Sequence, residues 1–384
     1  MKKNDQNKPG FNRVNIKDSI LKFSFLHRVE KLWLQVLLTI VIAVIFSFIA
    51  MLLIQNTGLY GFGVDAISHG FGRLFGFLTW YFSKNKNLSR YIFIIFFWLV
   101  NFLINIPLFF FAYKKINKNF ALLNFIFMLF STIAGIGFGF TKGSENWTFF
   151  GNSINENLAK DTNNIVQSLF WQNDDDYKMY FLVFIYGILW AIIQGIFAAA
   201  LLILNSSTAG FDILVVWYTQ KKIVNLGYIY TIFHIACLLF ANTIGTYIPA
   251  SISPNTPQNW EFKVFFNPNL ISSLIMILLN GVIIDIIFPK YKIVKMEIFT
   301  NQIEQIRKEI YEIPHKRFQM SIINTTGGFS NKEGKLIVIK CFYTDTPDII
   351  KIIEAYDPNA FVSIIDISKT FGYMFVSQSN SLTK

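Results

Sequence analysis

The sequence predicts an α-helical integral membrane protein with an internal repeat, followed by a small soluble α+β domain. Three observations carry the prediction. Of 384 residues, 53% are hydrophobic, 17% are aromatic (43 of them Phe) and only 15% are charged, with a mean hydropathy of +0.44. Soluble domains carry about 25% charge, whereas a bilayer accepts apolar surface directly. Second, six apolar runs of spanning length lie between residues 33 and 288. Third, from Lys290 onward charged and apolar residues alternate as in a soluble domain.

The net charge of +11 fits basic residues gathered on one membrane face and against anionic lipid. Nucleic acid is not an expected partner, because the basic C-terminal part lacks a binding motif with interleaved aromatics. The two cysteines, Cys237 and Cys341, are far apart, which excludes a disulfide scaffold and a Cys-based zinc site.

Residues 1–32 read as a basic cytoplasmic tail, with eight Lys or Arg against Asp5, Asp18 and Glu30. The run that follows, Trp33–Ile54, is about 22 residues long, against about 7–15 for a cleavable signal. A helix of about 20 residues crosses the roughly 30 Å hydrocarbon core. Equivalent runs are Tyr91–Tyr113, Asn119–Phe140, Met179–Leu204, Tyr228–Ile248 and Leu270–Phe288, giving six full spans. Tyr60–Phe82, with five glycines and Asp65, His69 and Arg73 inside it, and the shorter Thr208–Thr219 read as short or broken helices. The domain plan is a tail (1–32), membrane repeat 1 (33–140), an extramembrane loop (141–178), membrane repeat 2 (179–288) and a cytoplasmic domain (289–384). A short interfacial helix over Ile154–Trp171, or a plain loop, is expected in the insertion. In the last domain the pattern predicts strand 293–300, helix 302–313, strand 318–325, strand 335–342, helix 347–356 and strand 360–367, with Asp345 as a helix cap. That βαββαβ order is ferredoxin-like.

The repeat is visible as text. Asn56-Thr-Gly-Leu-Tyr-Gly-Phe-Gly-Val-Asp65-Ala-Ile67 and Asn205-Ser-Ser-Thr-Ala-Gly-Phe-Asp212-Ile-Leu214 each place a small polar cluster after a long apolar helix, then Gly-x-Asp and two apolar residues. An interrupted segment in corresponding halves marks a transporter-type binding site. Unpaired backbone groups are tolerated at membrane depth only where protein or a water-filled cavity satisfies them, and half-helix ends then offer partial charges to a solute. An aspartate near a span centre costs on the order of 2.5–3.5 kcal/mol on insertion scales. Asp65 and Asp212 are therefore candidates to bind a cation or carry a proton; each capping its own half-helix, or Asp65 pairing with Arg73, is the plainer alternative. Re-entrant short segments give three spans per half and inverted repeats, while crossing ones give four and parallel repeats. Lys84, Lys86 and Arg90 favour crossing and Lys114, Lys115 and Lys118 favour re-entry, so the charges do not decide.

The sequence resembles the YitT-type family of bacterial multi-pass membrane proteins. The resemblance rests on Leu103-Ile-Asn105-Ile-Pro107-Leu-Phe with Lys118-Asn-Phe-Ala-Leu122, on Ser207-Thr208-Ala-Gly210-Phe-Asp212-Ile-Leu214, and on Gly327-Gly328-Phe-Ser with Asp357-Pro-Asn-Ala-Phe-Val362. It covers about residues 35 to 375 and implies a duplicated membrane unit with a small cytoplasmic domain, and no reaction. Departures are Gly61-Phe-Gly63-Val-Asp65 in the first repeat, Ala209 where the family has Gly, and a longer 141–178 loop.

His69 follows Asp65 by four residues, so both share a helix face and could share a proton or cation; a structural hydrogen bond is the alternative. His234 faces the same choice. Asn101, Asn105 and Pro107 in one span either line a cavity or make interhelical hydrogen bonds. Ser206, Ser207, Thr208 and Gly210 would expose backbone to a solute. Asp285 near a helix end reads as interfacial, and Gln194-Gly195 as a site of close packing. Gly327, Gly328, Phe329 and Ser330 form a turn that could cradle a small anion, without a P-loop or dinucleotide fingerprint. No nucleophile–base arrangement, metal set or cofactor is expected, and no enzyme. The expected function is a secondary-transporter-like protein of the bacterial plasma membrane, for a small solute or ion, with both termini cytoplasmic. The alternative is a membrane-anchored sensor or scaffold whose C-terminal domain binds a small anion or a protein. Either is compatible with a homo-oligomer.

Overall fold

The computed structural model describes residues 23, 25–29, 31–150, 177–222, 226–253, 260–289, 292–313, 317–328, 331 and 333–372. Most of the tail and of the insertion, including the expected Ile154–Trp171 helix, lies outside the described residues. Among the described residues six helices are long and apolar enough to span: Leu32–Gln55, Lys86–Lys115, Lys118–Phe140, Tyr180–Ile203, Leu226–Ile252 and Pro268–Ile287. Each overlaps a run expected from the sequence. Leu37, Val41 and Ile45 on the first face outward, as lipid contact requires, while Ala43, Phe46 and Ala50 enter the core.

We number the helices α1 (Leu32–Ala50, extended by a π-helical turn to Gln55), α2 (Val64–Ser83), α3 (Lys86–Ile95), α4 (Asn101–Lys115), α5 (Lys118–Phe140), α6 (Tyr177–Ile203), α7 (Asp212–Lys222), α8 (Leu226–Asn242), α9 (Ile248–Ile252), α10 (Phe262–Phe265) and α11 (Pro268–Ile287). A π-helical turn at Phe96–Val100 joins α3 to α4, and another at Thr243–Tyr247 joins α8 to α9. Such turns insert a residue into the helical ladder and redirect the side chains beyond it.

Within each half the outer spans run parallel. Phe46 meets Phe127, Ser47 donates to Ser131 O at 2.9 Å and Phe48 meets Phe138, so α1 and α5 advance together. In the second half Ser272 donates to Val183 O and Asn280 to Ala191 O, so α6 and α11 advance together too. Between the halves the direction reverses. Leu26, before α1, clusters with Ala200 and Leu204 at the end of α6, whereas Phe150, beyond α5, meets Tyr186, in the first half of α6, edge to face. The repeats are inverted.

Both interrupted segments re-enter, although α2, at 20 continuous residues, is neither short nor broken as expected, whereas α7, at 11, is short. Asn56, just past α1, donates to Ser144 O and Trp147 O beyond the end of α5. The chain then folds back along α2, where Gly58 O accepts from Arg73. α2 returns to the end it left, since Arg90 in the next helix donates to Gly139 O and to Ser144 Oγ. At the opposite end, Leu202 and Asn205 line a small cavity with Thr219, Gln220, Leu226 and Phe288, so α7 also leaves where its segment entered. Three full spans and one re-entrant helix therefore make each half.

The C-terminal domain is built from β1 (Ile293–Phe299), α12 (Ile303–Tyr311), β2 (Gln319–Thr326), β3 (Glu333–Phe342), α13 (Thr346–Tyr356) and β4 (Phe361–Asp366), in the sheet order β2-β3-β1-β4 with every pair antiparallel. This is the ferredoxin-like arrangement. Alternation puts Val294, Met296, Ile298, Ile337, Ile339 and Cys341 on one face, against Ile306, Ile310, Ile349 and Ile353 of the two helices. Asp345 stands before α13 but makes no side-chain capping bond.

Candidate functional site

Each re-entrant helix begins with a residue pair that the sequence repeat aligns: Gly63-Val64-Asp65 and Gly210-Phe211-Asp212. Gly63 (φ 56°) and Gly210 (φ 65°) hold left-handed backbone, which turns the extended chain into the helix and favours residues without a Cβ. The two helix tips meet inside the protein. A Cβ on Gly210 would lie 3.3 Å from the Val64 Cβ, and one on Gly63 would lie 3.3 Å from His234 Nδ1.

A chain of hydrogen bonds ties the tips together through α4. Asn101 Nδ2 donates to Asp65 Oδ1, Asn105 Nδ2 donates to Asn101 O at 2.8 Å and to its Oδ1 at 3.1 Å, and Asn105 Oδ1 accepts the Gly210 backbone N–H. The expected pair Asn101 and Asn105 thus makes interhelical hydrogen bonds, directed at the two tips. On the other side, Thr208 Oγ1 donates to Asp212 Oδ2, and His234 Nε2 stands 3.8 Å from Asp212 Oδ1. Ser207 donates to Asn124 Oδ1 at 2.5 Å and accepts the Ala209 N–H at 3.1 Å. Ser206 is fully buried, and its hydroxyl has no hydrogen-bond partner among the described residues. Asp212 is buried; Asp65 is partly exposed.

His69 shares a face of α2 with Asp65, yet its neighbours differ. Its Nε2 accepts from Arg73 Nε at 3.3 Å, and its ring lies among Tyr60, Phe93 and Phe97. Arg73 is buried; it also donates to Gly58 O and to Thr246 Oγ1, and its guanidinium lies 4.4 Å from the Tyr60 ring centroid. Thr246 in turn bonds Tyr60 at 2.6 Å. His69 therefore belongs to a cluster that pins the extended segment to α2 and to the second half.

Asp285 accepts the Gly227 N–H at 2.9 Å and so caps the start of α8. Gln194 accepts from Asn280 at 2.6 Å, and a Cβ on Gly195 would come within 2.6 Å of Ile283, which makes that pair a close-packing site. Gly327 O accepts the Asn331 N–H at 2.7 Å, with open space at Gly328. Phe329 and Ser330 lie outside the described residues. Tyr230, which no sequence motif marks, is buried with its ring centroid 5.3 Å from that of His234.

Residues 318–372, from before β2 to beyond β4, match the family described as "Uncharacterized protein conserved in bacteria (DUF2179)". Over nearly the whole chain, "Uncharacterized protein MG432 homolog" of Mycoplasma pneumoniae is 33% identical, covering 94% of this chain and 92% of that one. "Uncharacterized protein MG443" of Mycoplasma genitalium is also 33% identical, over 96% of this chain and 95% of that one. This chain belongs to the YitT-type family of bacterial membrane proteins. No solved structure matches it. Of the stretches that carry the resemblance, Leu103–Phe109 lies within α4, Lys118–Leu122 opens α5, Ser207–Leu214 forms the second helix tip and its approach, and Asp357–Val362 leads from α13 into β4.

Proposed function

We propose that the protein is secondary-transporter-like and moves a small solute or ion through the point where the α2 and α7 tips meet. The supporting observation is that two inverted half-helices direct their N-termini at one buried place and put a carboxylate in each first turn. An N-terminus carries about half a positive elementary charge, so Asp65 and Asp212 compensate the two dipoles and leave a locus where a cation or a cationic group is favoured. Half-helices meeting inside inverted repeats are the arrangement in which transporter sites are built. Lys114, Lys115, Lys118, Lys221 and Lys222 flank the end of the bundle from which the C-terminal domain emerges. Lys84, Lys86, Arg90 and Lys142 lie at the opposite end, but with the basic tail, Lys290 and Lys292 counted on the first, the balance of charge supports a cytoplasmic position for that first end and both termini. The C-terminal domain is assigned a regulatory part.

The test is uptake by the full chain in lipid vesicles, over a panel of inorganic cations and small amines and amino acids. Asp65→Asn and Asp212→Asn are each expected to abolish uptake while the protein still inserts. Equal uptake by wild type and both variants sinks the reading.

A second reading, a membrane-anchored scaffold, is favoured by the sheet face turned away from the helices. Phe299 and Phe361 pair across it, with Ile323 of β2 also exposed, a surface suited to a protein partner. A chain ending at residue 289 that keeps full function in the cell counts against that reading.

A further inference from the structure

The two halves differ where they meet, and the difference marks a site. Asn101, which serves Asp65, follows it by 36 residues; 18 residues after Asp212 stands Tyr230. α2 has 20 residues and α7 has 11. The nine extra residues, traversed out along the half-helix and back along the next span, account for the difference. Tyr230 is thus the counterpart of Asn101, and His234, four residues on, that of Asn105. The contacts agree, because Asn105 reaches the second tip at Gly210 and His234 packs on the first tip at Gly63.

The first half fills these places with amides bonded to both tips. The second half fills them with a phenol and an imidazole, both buried beside Asp212 at 1%, 2% and 5% exposure. Neither the Tyr230 hydroxyl nor His234 Nδ1 has a hydrogen-bond partner among the described residues. A buried polar group left unpaired costs about 1–3 kcal/mol, so such a group in a native fold calls for a reason.

Resting on the transporter reading above, we propose that Asp212 and His234, with Tyr230 against them, form the site of a coupling proton. One proton is carried on Asp212, with His234 Nε2 3.8 Å from its Oδ1, taken up from one side of the membrane and released to the other. Binding changes the charge of the pair from −1 to 0, and no other bond forms or breaks. Facing Asp212 are Thr208 on its own segment, Tyr230, His234 and Cys237 on α8, and Asp65 on α2. A hard divalent cation takes about six or more oxygen ligands, and an imidazole beside one carboxylate does not supply them; a proton needs a single base.

The experiment is infrared difference spectroscopy of the full chain in lipid, between acid and alkaline pH. A carboxylic-acid band is expected that disappears on alkalinisation, is absent in Asp212→Asn, persists in Asp65→Asn and titrates at a displaced midpoint in His234→Gln. Asp212→Glu keeps a carboxyl and should restore the band at a new midpoint, which covers the case where the Asn variant fails to fold. Persistence of the band in Asp212→Asn, or an unmoved midpoint in His234→Gln, overturns the assignment. Solute uptake in the same vesicles separates the two ideas. Uptake without a titrating Asp212 removes the proton site and leaves transport; a titrating Asp212 in vesicles that move no solute does the reverse.

Discussion

Gly245 in the second half lies so close to Gly70 in the first that a Cβ on it would come within 2.6 Å of the Gly70 Cα and 2.8 Å of the Tyr60 hydroxyl. The π-helical turn at Thr243–Tyr247 lays its backbone directly against α2. Gly245→Ala is expected to force α2 and α8 apart and to cost about 1–3 kcal/mol, as overpacking does. Gly137→Ala, on α5 with nothing within 4 Å, is the matched control and should gain up to about 1 kcal/mol from helix propensity. Thermal melting of the detergent-solubilised protein distinguishes them, and equal melting temperatures would contradict the contact.

Asn105→Leu removes the acceptor of the Gly210 N–H and the donor to Asn101 O. A buried N–H is then left unpaired, at about 1–3 kcal/mol. Hydrogen exchange should accelerate at residues 209–211 and stay unchanged in the C-terminal sheet. Unaltered protection at 209–211 would show that another acceptor takes over.

Arg73 serves Gly58 O, His69 and Thr246 with one guanidinium, a fork that a lysine ammonium cannot reproduce. Arg73→Lys should lose at least one charge-assisted bond, about 1.5–3 kcal/mol. Faster exchange is expected across 56–63, the stretch that Arg73 pins. A variant with wild-type melting and exchange counts against that role.

Asp357 of the family signature accepts from Thr300 Oγ1 at 2.7 Å, Asn301 N at 3.3 Å and Asn359 N at 3.1 Å. It thereby joins the end of β1 to the entry of β4. Asp357→Ala should lower the denaturant midpoint of the C-terminal domain by about 1–3 kcal/mol of stability, with the helical bundle unaffected. Coincident loss of both would mean that the two fold as one cooperative unit.

On the sheet surface, Lys295 Nζ stands 2.5 Å from Glu297 Oε1 and holds that carboxyl below its ordinary value of 4.5, with help from Ser363. Because the folded value is depressed, the stabilising contribution is present above the unfolded value and is lost as the pH falls through the folded one. The wild-type C-terminal domain should therefore lose more stability than Glu297→Gln on acidification below about pH 4.5. Parallel acid profiles of the two proteins would exclude the pair as the cause.

The six spans were legible because run length alone identifies a segment that can cross a bilayer, and the strand order because alternation at Val294, Met296 and Ile298 declares a buried face. Re-entry was not legible. A crossing helix and a returning one share composition and periodicity, and the difference rests on tertiary contacts such as Arg73 to Gly58 and Asn56 to Ser144. His69 shows a related limit. Spacing from Asp65 identifies the helix face, but not the guanidinium four residues further on that occupies the ring. Tyr230 sits in an apolar run with no local mark. The repeat itself held the signal, once its two hairpins are matched with their nine-residue difference in length.

That difference in length also has an electrical meaning. At 1.5 Å per residue, the 20 residues of α2 and the 11 of α7 place the junction of the tips roughly two thirds of the combined helix length from one face and one third from the other. One elementary charge crossing the whole membrane gains about 2.3 kcal/mol per 100 mV. A charge reaching the junction from the α2 side would pass along the longer helix, and one from the α7 side along the shorter. If the protein carries charge, polarising the membrane would thus act unequally on loading from the two faces.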